Sequence, residues 1–314
     1  MEPLEIPGPP AGCDLSADLE LRAALLQLDF AAVEVFSLLD GAGVSSLLLK
    51  GPSFAEWLFD DRRDRLYTDV DVLVPWERLN DVREILTSNG YWFDSDHPLG
   101  IHLTFFRRET NARVEVHTTL LGLGVDAAKV WPILKEHAEP LWVVGKELRG
   151  LNEVGRALHV LLHAASDGEG HTLDDLERAF DRMEPYRWIE VLDLADRLGA
   201  RDAFVEGIGM AQRGKVVLHE LGVVHKVSFS VRLRTEKASN ARQLLALLGD
   251  APDLRTRRSI VRRALLPSPA LMRQRYPLAR RGTLGLASMY LWRLVVSPIK
   301  ASSAIPSWWA EHRR

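Results

Sequence analysis

Two acidic residues separated by one position lie inside an apolar run that predicts a β-strand. Asp69 and Asp71 alternate with Val70, Val72 and Val74. Residues two apart on a strand point to the same face, so the two carboxylates share one face and the valines share the other. Like charges this close repel each other and are costly to remove from water. A divalent cation removes that cost, and Mg²⁺ binds such carboxylates together with phosphate and water. The pair therefore predicts a metal–nucleotide site.

Pairs of acids with this spacing also arise by chance. Of the 314 residues, 43 are acidic, which gives about six such pairs in a random arrangement. Other such pairs, Asp94 and Asp96 among them, occur in helical or turn-like contexts and indicate solvated faces. Taken alone, the pair at Asp69 and Asp71 is consistent with a metal site and equally with an exposed edge strand.

A third acid lies on a second predicted strand. Arg113, Glu115 and His117 alternate with Val114 and Val116, so the three polar side chains share a face. If this strand lies beside the first, Glu115 completes a cluster of three carboxylates.

These motifs follow one another in an order that resembles a known superfamily. The chain has an apolar strand ending in Lys50-Gly51, then the Asp69/Asp71 strand, then the Glu115 strand. That order resembles the nucleotidyltransferase superfamily of the DNA polymerase β type. The motifs Leu-Lys-Gly, an Arg four residues before the first Asp, and acid-x-His resemble, more narrowly, the bacterial group of uncharacterised nucleotidyltransferases. Late Pro-Ser-Pro, Arg-Tyr-Pro and Tyr-Leu-x-Arg elements extend the resemblance through most of the chain.

The resemblance implies transfer of a nucleoside monophosphate from an NTP to an unknown acceptor, which is a small molecule, a peptide or a protein. It implies Mg²⁺ (or Mn²⁺) as the cofactor, with Asp69, Asp71 and Glu115 as catalytic residues and metal ligands. In this scheme Glu115 holds a second metal or deprotonates the acceptor. The residues implied in nucleotide binding are Lys50, Gly51, Ser53, Arg65 and His117.

One departure from the superfamily concerns the phosphate-binding turn. The superfamily usually has Gly-Ser or Gly-Gly after the first strand, whereas here Gly51 is followed by Pro52 and then Ser53. Proline has no N–H and fits the first position of a helix. The turn therefore keeps two alternatives open: Ser53 substitutes for the usual serine, or the protein is a catalytically degenerate relative that binds a nucleotide or a partner. A third alternative is a tailoring protein of a natural-product or polysaccharide pathway.

The composition, 46% hydrophobic and 26% charged, is typical of a soluble globular chain. The pattern of segments predicts an α/β (α+β) fold, with a small mixed sheet flanked by helices and an all-helical second domain. A long helix is predicted over 15–41, a strand or hairpin over 141–151, and further helices over 171–183, 187–198, 203–213 and 237–248. The predicted divisions are a loose N-terminal arm (1–14), a nucleotidyltransferase-like domain (15–151), a helical domain (152–250) and a basic C-terminal helical tail (251–314).

Two histidines in the helical region share a face. His159 and His163 are four residues apart, but without the acid of an HExxH motif they do not indicate a zinc protease. Packing or nucleotide contact is favoured over metal ligation. Asp174 and Asp175, at the start of a predicted helix, are interpreted as complementing its N-terminal dipole.

The C-terminal tail is strongly basic. Residues 254–310 contain eleven Lys or Arg and no Asp or Glu. Three interpretations stay open: a docking helix with a basic outer face, which is favoured, an interfacial helix on anionic lipid, and contact with an acidic partner.

The net charge and the cysteine content restrict the partners and the cellular compartment that we expect for this chain. The net charge of −3 argues against general nucleic-acid binding, and no sequence-specific nucleic acid is expected. The single cysteine, Cys13, excludes a disulfide framework and fits a reducing cytoplasm. The N-terminus lacks the pattern of a secretory signal. We therefore expect a cytoplasmic protein, peripheral to the membrane if the tail binds anionic lipid.

Overall fold

The computed structural model describes residues 15–97, 101–110, 112–167, 170–224 and 276–302, together with isolated positions between 248 and 272. The N-terminal part alternates helices with strands. Its elements are α1 (Leu15–Gly41), β1 (Leu47–Leu48), α2 (Pro52–Leu58), β2 (Asp69–Leu73), α3 (Leu79–Ser88), β3 (Tyr91–Asp96), β4 (His102–Arg107), β5 (Arg113–His117), α4 (Ala127–Lys135), β6 (Ala138–Val143) and β7 (Lys146–Leu151). The elements that follow are helical: α5 (Glu153–Asp167), α6 (His171–Arg182), α7 (Trp188–Arg197), α8 (Arg201–Gly209), α9 (Gln212–Glu220) and α10 (Gly282–Ser302).

The seven strands form one mixed sheet in the order β3-β4-β5-β2-β1-β7-β6. The pairs β2–β5 and β1–β7 are parallel, and the other neighbours are antiparallel. This confirms the predicted α/β class and mixed sheet. The two strands that carry the predicted acids lie side by side near the centre of the sheet.

Each face of the sheet packs against its own set of helices. Val70, Val72 and Val74 lie in the core shared with α1. Leu73 lies on the other face, which it shares with Asp71, and packs in a second core with residues of α5 to α9. The predicted alternation along β2 is therefore confirmed, and the acidic face is the one covered by the helical half.

Several local predictions were wrong or incomplete. Asp94 and Asp96 lie on β3, not in a turn, because Tyr91 to Phe93 begin an edge strand whose later residues are polar. The helix predicted over 203–213 is two helices, since α8 ends at Gly209 and Ala211 has an extended backbone. Helix α4 was not predicted. The 141–151 hairpin is confirmed as β6 and β7 around Gly145.

Other predictions fall partly or wholly outside the described residues. These are the N-terminal arm (1–14), the helix over 237–248 apart from its last residue, and much of the basic tail. The predicted domain limits stay predictions. Within the described part of the chain, no helix combines the length and apolar character that a membrane span needs.

The contact between α5 and α8 gives a stability test. Gly207 lies so close to α5 that a Cβ there would be 2.2 Å from the carbonyl oxygen of Leu161. We expect Gly207→Ala to lower the free energy of unfolding by about 1–3 kcal/mol, because backbone must shift to relieve the overlap. Chemical denaturation measures this change. Gly41→Ala is the matched control, because a Cβ at Gly41 meets nothing within 4 Å, and an equal loss in both variants would contradict the packing described.

Candidate active site

The register of the β2–β5 pair brings the predicted acids together. Asp71 lies directly opposite Glu115, and Asp69 lies opposite Arg113. Side chains at paired positions of neighbouring strands point to the same face. The two strands therefore place Asp69, Asp71 and Glu115 on one face, and Asp71 and Glu115 are buried there.

Two basic side chains connect the three carboxylates. Arg113 forms an ion pair with Glu115, and its Nη1 lies 3.7 Å from Asp69 Oδ2. His117 Nε2 lies 2.9 Å from Asp71 Oδ1 and 3.6 Å from Glu115 Oε2. Because each base contacts two acids, the carboxylates converge on one small region.

Lys50 also reaches this region, from the end of β1. Its Nζ lies 3.0 Å from Asp71 Oδ1, and the neighbouring Leu49 N–H donates to the Asp71 carbonyl at 3.0 Å. Burial alone would raise the pKa of Asp71, but the Lys50 charge and the His117 hydrogen bond outweigh it and hold that pKa well below its usual range. Burial likewise opposes the charge on Lys50, yet Asp71 and Asp69 raise the pKa of Lys50 above its ordinary value. Asp71 and Lys50 are therefore an ionised pair.

Asp69 is in a different electrostatic state. Burial, followed by the neighbouring negative charge of Asp71, raises the pKa of Asp69 to about 6. Its ionised form is therefore less stable than that of an exposed aspartate, and a bound cation would stabilise it.

The residues present fit a hard divalent cation. Asp71 Oδ2 is buried and makes no hydrogen bond with any part of the chain that the structure describes. A buried carboxylate oxygen without a partner is a costly arrangement, and a metal ion relieves it. Carboxylate oxygens are also the ligands that Mg²⁺ prefers.

A cavity of about 650 Å³ opens over this face, between β2 and α6. Its lining combines basic, acidic and aromatic side chains. The lining residues include Lys50, Gly51, Phe59, Asp64, Arg65, Tyr67, Asp69, Asp71, His163, His171, Asp174, Asp175 and Arg178. Of the predicted site residues, Lys50, Gly51, Arg65, Asp69 and Asp71 are thus brought to one cavity.

Arg65 lines this cavity but is paired with a residue that the sequence did not single out for binding. Its Nη2 lies 2.8 Å and its Nε 3.1 Å from the two oxygens of Asp175, and its guanidinium stacks over Phe54 at 5.1 Å from the ring centroid. Both charged groups are largely buried. Asp175 therefore positions Arg65 at the cavity, a role beyond the helix-dipole effect expected for it.

The turn after β1 offers few backbone donors. Gly51 has φ +58°, a conformation that favours glycine, and Pro52 begins α2 as expected. The Ser53 N–H donates to the Lys50 carbonyl at 3.3 Å. The Ser53 side chain is fully buried and lies outside the cavity lining. Phosphate contacts at this turn would therefore come from side chains, not from Pro52 or Ser53.

Histidines contribute more to the site than the sequence indicated. His102, which no sequence motif singles out, lies 3.4 Å from Glu115 Oε1. His163 lines the cavity, and its ring centroid is 5.0 Å from that of His159. Burial lowers the pKa of both His159 and His163, so both are neutral. His159 also packs against the Phe54 ring, as the packing interpretation expects.

A double-mutant cycle tests the Arg65–Asp175 pair. We expect Arg65→Ala and Asp175→Ala to show a coupling energy of about 1–3 kcal/mol in the free energy of unfolding, because the pair is buried and doubly hydrogen-bonded. The exposed pair Arg63 and Asp61 is the matched control, and its coupling energy should be clearly smaller because solvent screens it. Equal coupling energies in the two cycles would contradict the positioning role of Asp175.

Three solved structures are distantly similar to this chain. The antibiotic-resistance factor ANT(2'')-Ia has 13% sequence identity and a TM-score of 0.37, covering 67% of this chain and 99% of that chain. The lincosamide antibiotic adenylyltransferase LnuA has 13% identity and a TM-score of 0.36, covering 48% and 95%. An antigenic nucleotidyltransferase-like protein from Paracoccidioides brasiliensis has 15% identity and a TM-score of 0.36, covering 57% and 94%. At these values the likenesses support no statement about activity.

Among curated proteins, none matches the chain significantly. A protein-family model does match, over residues 16–214, and its description is "Uncharacterised nucleotidyltransferase". The match spans the sheet and the helices up to α9, so it includes β2, β5 and the whole cavity. It ends before the C-terminal region, where the resemblance stays a prediction. The chain belongs to the uncharacterised nucleotidyltransferase family.

Proposed function

We propose that this nucleotidyltransferase moves a nucleoside monophosphate from an NTP to an acceptor hydroxyl or phosphate in an Mg²⁺-dependent reaction. The observation that supports this proposal most strongly is the convergence of Asp69, Asp71 and Glu115 on one covered face of the sheet, with one Asp71 oxygen buried and unpartnered. A purely structural cluster of acids would have its buried oxygens satisfied by the protein.

Asp69 and Asp71 would hold the metal. When bound there, Mg²⁺ would neutralise charge on the triphosphate. Mn²⁺ is an alternative ion for the same oxygen ligands. Glu115 either holds a second ion or accepts the proton of the acceptor hydroxyl, and its contacts with Arg113 and His117 orient it for both roles.

The remaining residues would bind and orient the nucleotide. Lys50 and Arg65 border the cavity beside the acids, and each can contact a phosphate once it leaves its carboxylate partner. The acceptor oxygen then forms a bond to the α-phosphorus while the bond to the pyrophosphate oxygen breaks. Such phosphoryl chemistry depends mainly on positioning and charge stabilisation.

The acceptor shares the cavity with the nucleotide. A volume of about 650 Å³ lies within the range of small-molecule sites, about 300–1,000 Å³. This supports a small-molecule acceptor, or a single side chain of a peptide or protein that reaches into the cavity.

A degenerate nucleotide-binding protein is the second candidate. The observation that favours it is the turn after β1, where Pro52 has no N–H and the Ser53 N–H is already bonded to Lys50. Such a protein would bind the NTP without transferring its nucleotide. The role as a tailoring protein of a biosynthetic pathway stays a prediction.

The binding role of the basic C-terminal tail also stays a prediction. Among its described positions, Arg257, Arg258 and Arg262 are exposed. On α10, Leu284 and Leu291 are exposed as well. These features support contact with an anionic surface, such as a membrane reached from the cytoplasm, and equally an acidic partner.

The metal–nucleotide site is tested by calorimetry with a non-hydrolysable NTP and Mg²⁺. We expect Asp69→Asn to weaken nucleotide binding in Mg²⁺ at least tenfold, about 1.4 kcal/mol, because the ion that would join the acids to the triphosphate loses one of its charged ligands. The loss should disappear when both proteins are measured in EDTA. Asp202→Asn, an exposed acid on α8, is the control and should bind like the wild type. Equal affinity with and without Mg²⁺ in the wild type would contradict the proposal.

Transfer itself is tested by incubating the protein with each α-labelled NTP, Mg²⁺ and a cell extract. We expect labelled product with the wild type and at least a hundredfold less with Asp71→Asn, a loss of about 2.7 kcal/mol in transition-state stabilisation. Tight Mg²⁺-dependent NTP binding without labelled product would favour the degenerate alternative.

A further inference from the structure

The hairpin of β4 and β5 adds a nitrogen-rich cluster to the site. His102 lies directly across from His117 in this antiparallel pair, and Thr104 lies across from Glu115. Cross-strand partners in such a pair have neighbouring side chains on one face. Glu115 therefore has both His102 and His117 as neighbours on the same face of the sheet.

The distances in this cluster are those of a ligand set. His102 Nε2 lies 3.4 Å from Glu115 Oε1, and His117 Nε2 lies 3.6 Å from Glu115 Oε2. One ligand atom from each of the three residues lies within 4.8 Å of the other two. Zinc–nitrogen and zinc–oxygen bonds of about 2.0–2.2 Å separate two ligands by about 3.3–3.6 Å in a tetrahedral site. The cluster needs only a small inward movement to reach this geometry.

The chemistry of these donors differs from that of the Asp69/Asp71 pair. Two imidazole nitrogens and one carboxylate oxygen suit borderline transition metals such as Zn²⁺ and Co²⁺, whereas an all-oxygen set suits Mg²⁺. His117 turns its Nε2 towards Glu115 and Asp71, while its Nδ1 is buried and has no hydrogen-bond partner among the described residues; Nε2 is therefore the nitrogen that this histidine offers to a metal.

We propose that His102, Glu115 and His117 form a binding site for a divalent transition metal, beside and distinct from the carboxylate pair on β2. Three protein ligands leave a fourth position open for water or a substrate atom. Because His117 also contacts Asp71, a metal in this site would draw its imidazole away from that acid. The proposal concerns metal binding alone and does not depend on nucleotidyl transfer.

The test is titration of the metal-free full-length protein with Co²⁺, whose visible absorption reports nitrogen ligation and low coordination number. We expect a saturable signal at one equivalent of Co²⁺, displaced by Zn²⁺ and not by Mg²⁺. His102→Ala should weaken Co²⁺ binding at least tenfold, since one of three protein ligands is lost, and His102→Gln should behave alike. The exposed His219→Ala variant is the control for loss of a histidine elsewhere.

Asp69→Asn separates this site from the carboxylate pair. We expect it to keep the Co²⁺ absorption, and circular dichroism should confirm that every variant is folded. A signal lost in Asp69→Asn and kept in His102→Ala would place the metal on β2 and overturn the proposal. The proposal is equally overturned if the wild type gives no saturable absorption, or if folded His102 variants bind Co²⁺ like the wild type. Neither result bears on the Mg²⁺-dependent binding of NTP.

Discussion

The ion pair between Asp71 and Lys50 is the interaction on which the site depends. Asp71 is almost completely buried in the middle of the sheet, and an isolated charge at such a position would be strongly destabilising. Lys50 at 3.0 Å and His117 at 2.9 Å keep it ionised. The parallel β2–β5 pair supplies the histidine and the end of β1 supplies the lysine. The pairing of the central strands therefore also sets the charge balance of the site.

The same arrangement balances the charges of the acidic cluster within the protein. Arg113 and His117 lie between the carboxylates, Lys50 neutralises Asp71, and Asp175 holds Arg65. The cations suited to bind phosphates are therefore already paired with acids. Under the proposed function, binding of a metal and a triphosphate would be an exchange of partners, in which Asp71 would exchange Lys50 for the metal and Lys50 and Arg65 would exchange their carboxylates for phosphates. An exchange of this kind would lower the affinity for phosphate alone and favour a metal-bound nucleotide.

Local periodicity predicted the core of this site. Alternation placed Asp69 and Asp71 on one face and Val70 and Val72 on the other, and the structure confirms both assignments. Predicting that Glu115 lies beside Asp71 required the order of the strands in the sheet. The motif order of the superfamily indicated that order, and periodicity alone did not.

Contacts that depend on tertiary packing could not be predicted in this way. His102 joins the cluster only through the register of the β4–β5 hairpin, and Asp175 meets Arg65 across 110 residues of sequence. The Ser53 side chain is buried beside Gly150 of β7, and the sequence contains no signal for this burial. Edge strand β3 was missed for a related reason, since an edge strand does not need the apolar alternation that marks a central one.

The central claim is that the acids of β2 form a metal–nucleotide site under the helical half. Anomalous diffraction from crystals grown with Mn²⁺ and a non-hydrolysable NTP tests it most directly, because manganese scattering locates the ion independently of the protein atoms. The account predicts an anomalous peak in contact with Asp69 and Asp71, with the triphosphate in the cavity between β2 and α6 and with Lys50 released from Asp71. A triphosphate bound elsewhere, or a nucleotide in the cavity with Lys50 still paired to Asp71 and no manganese at the acids, would contradict it.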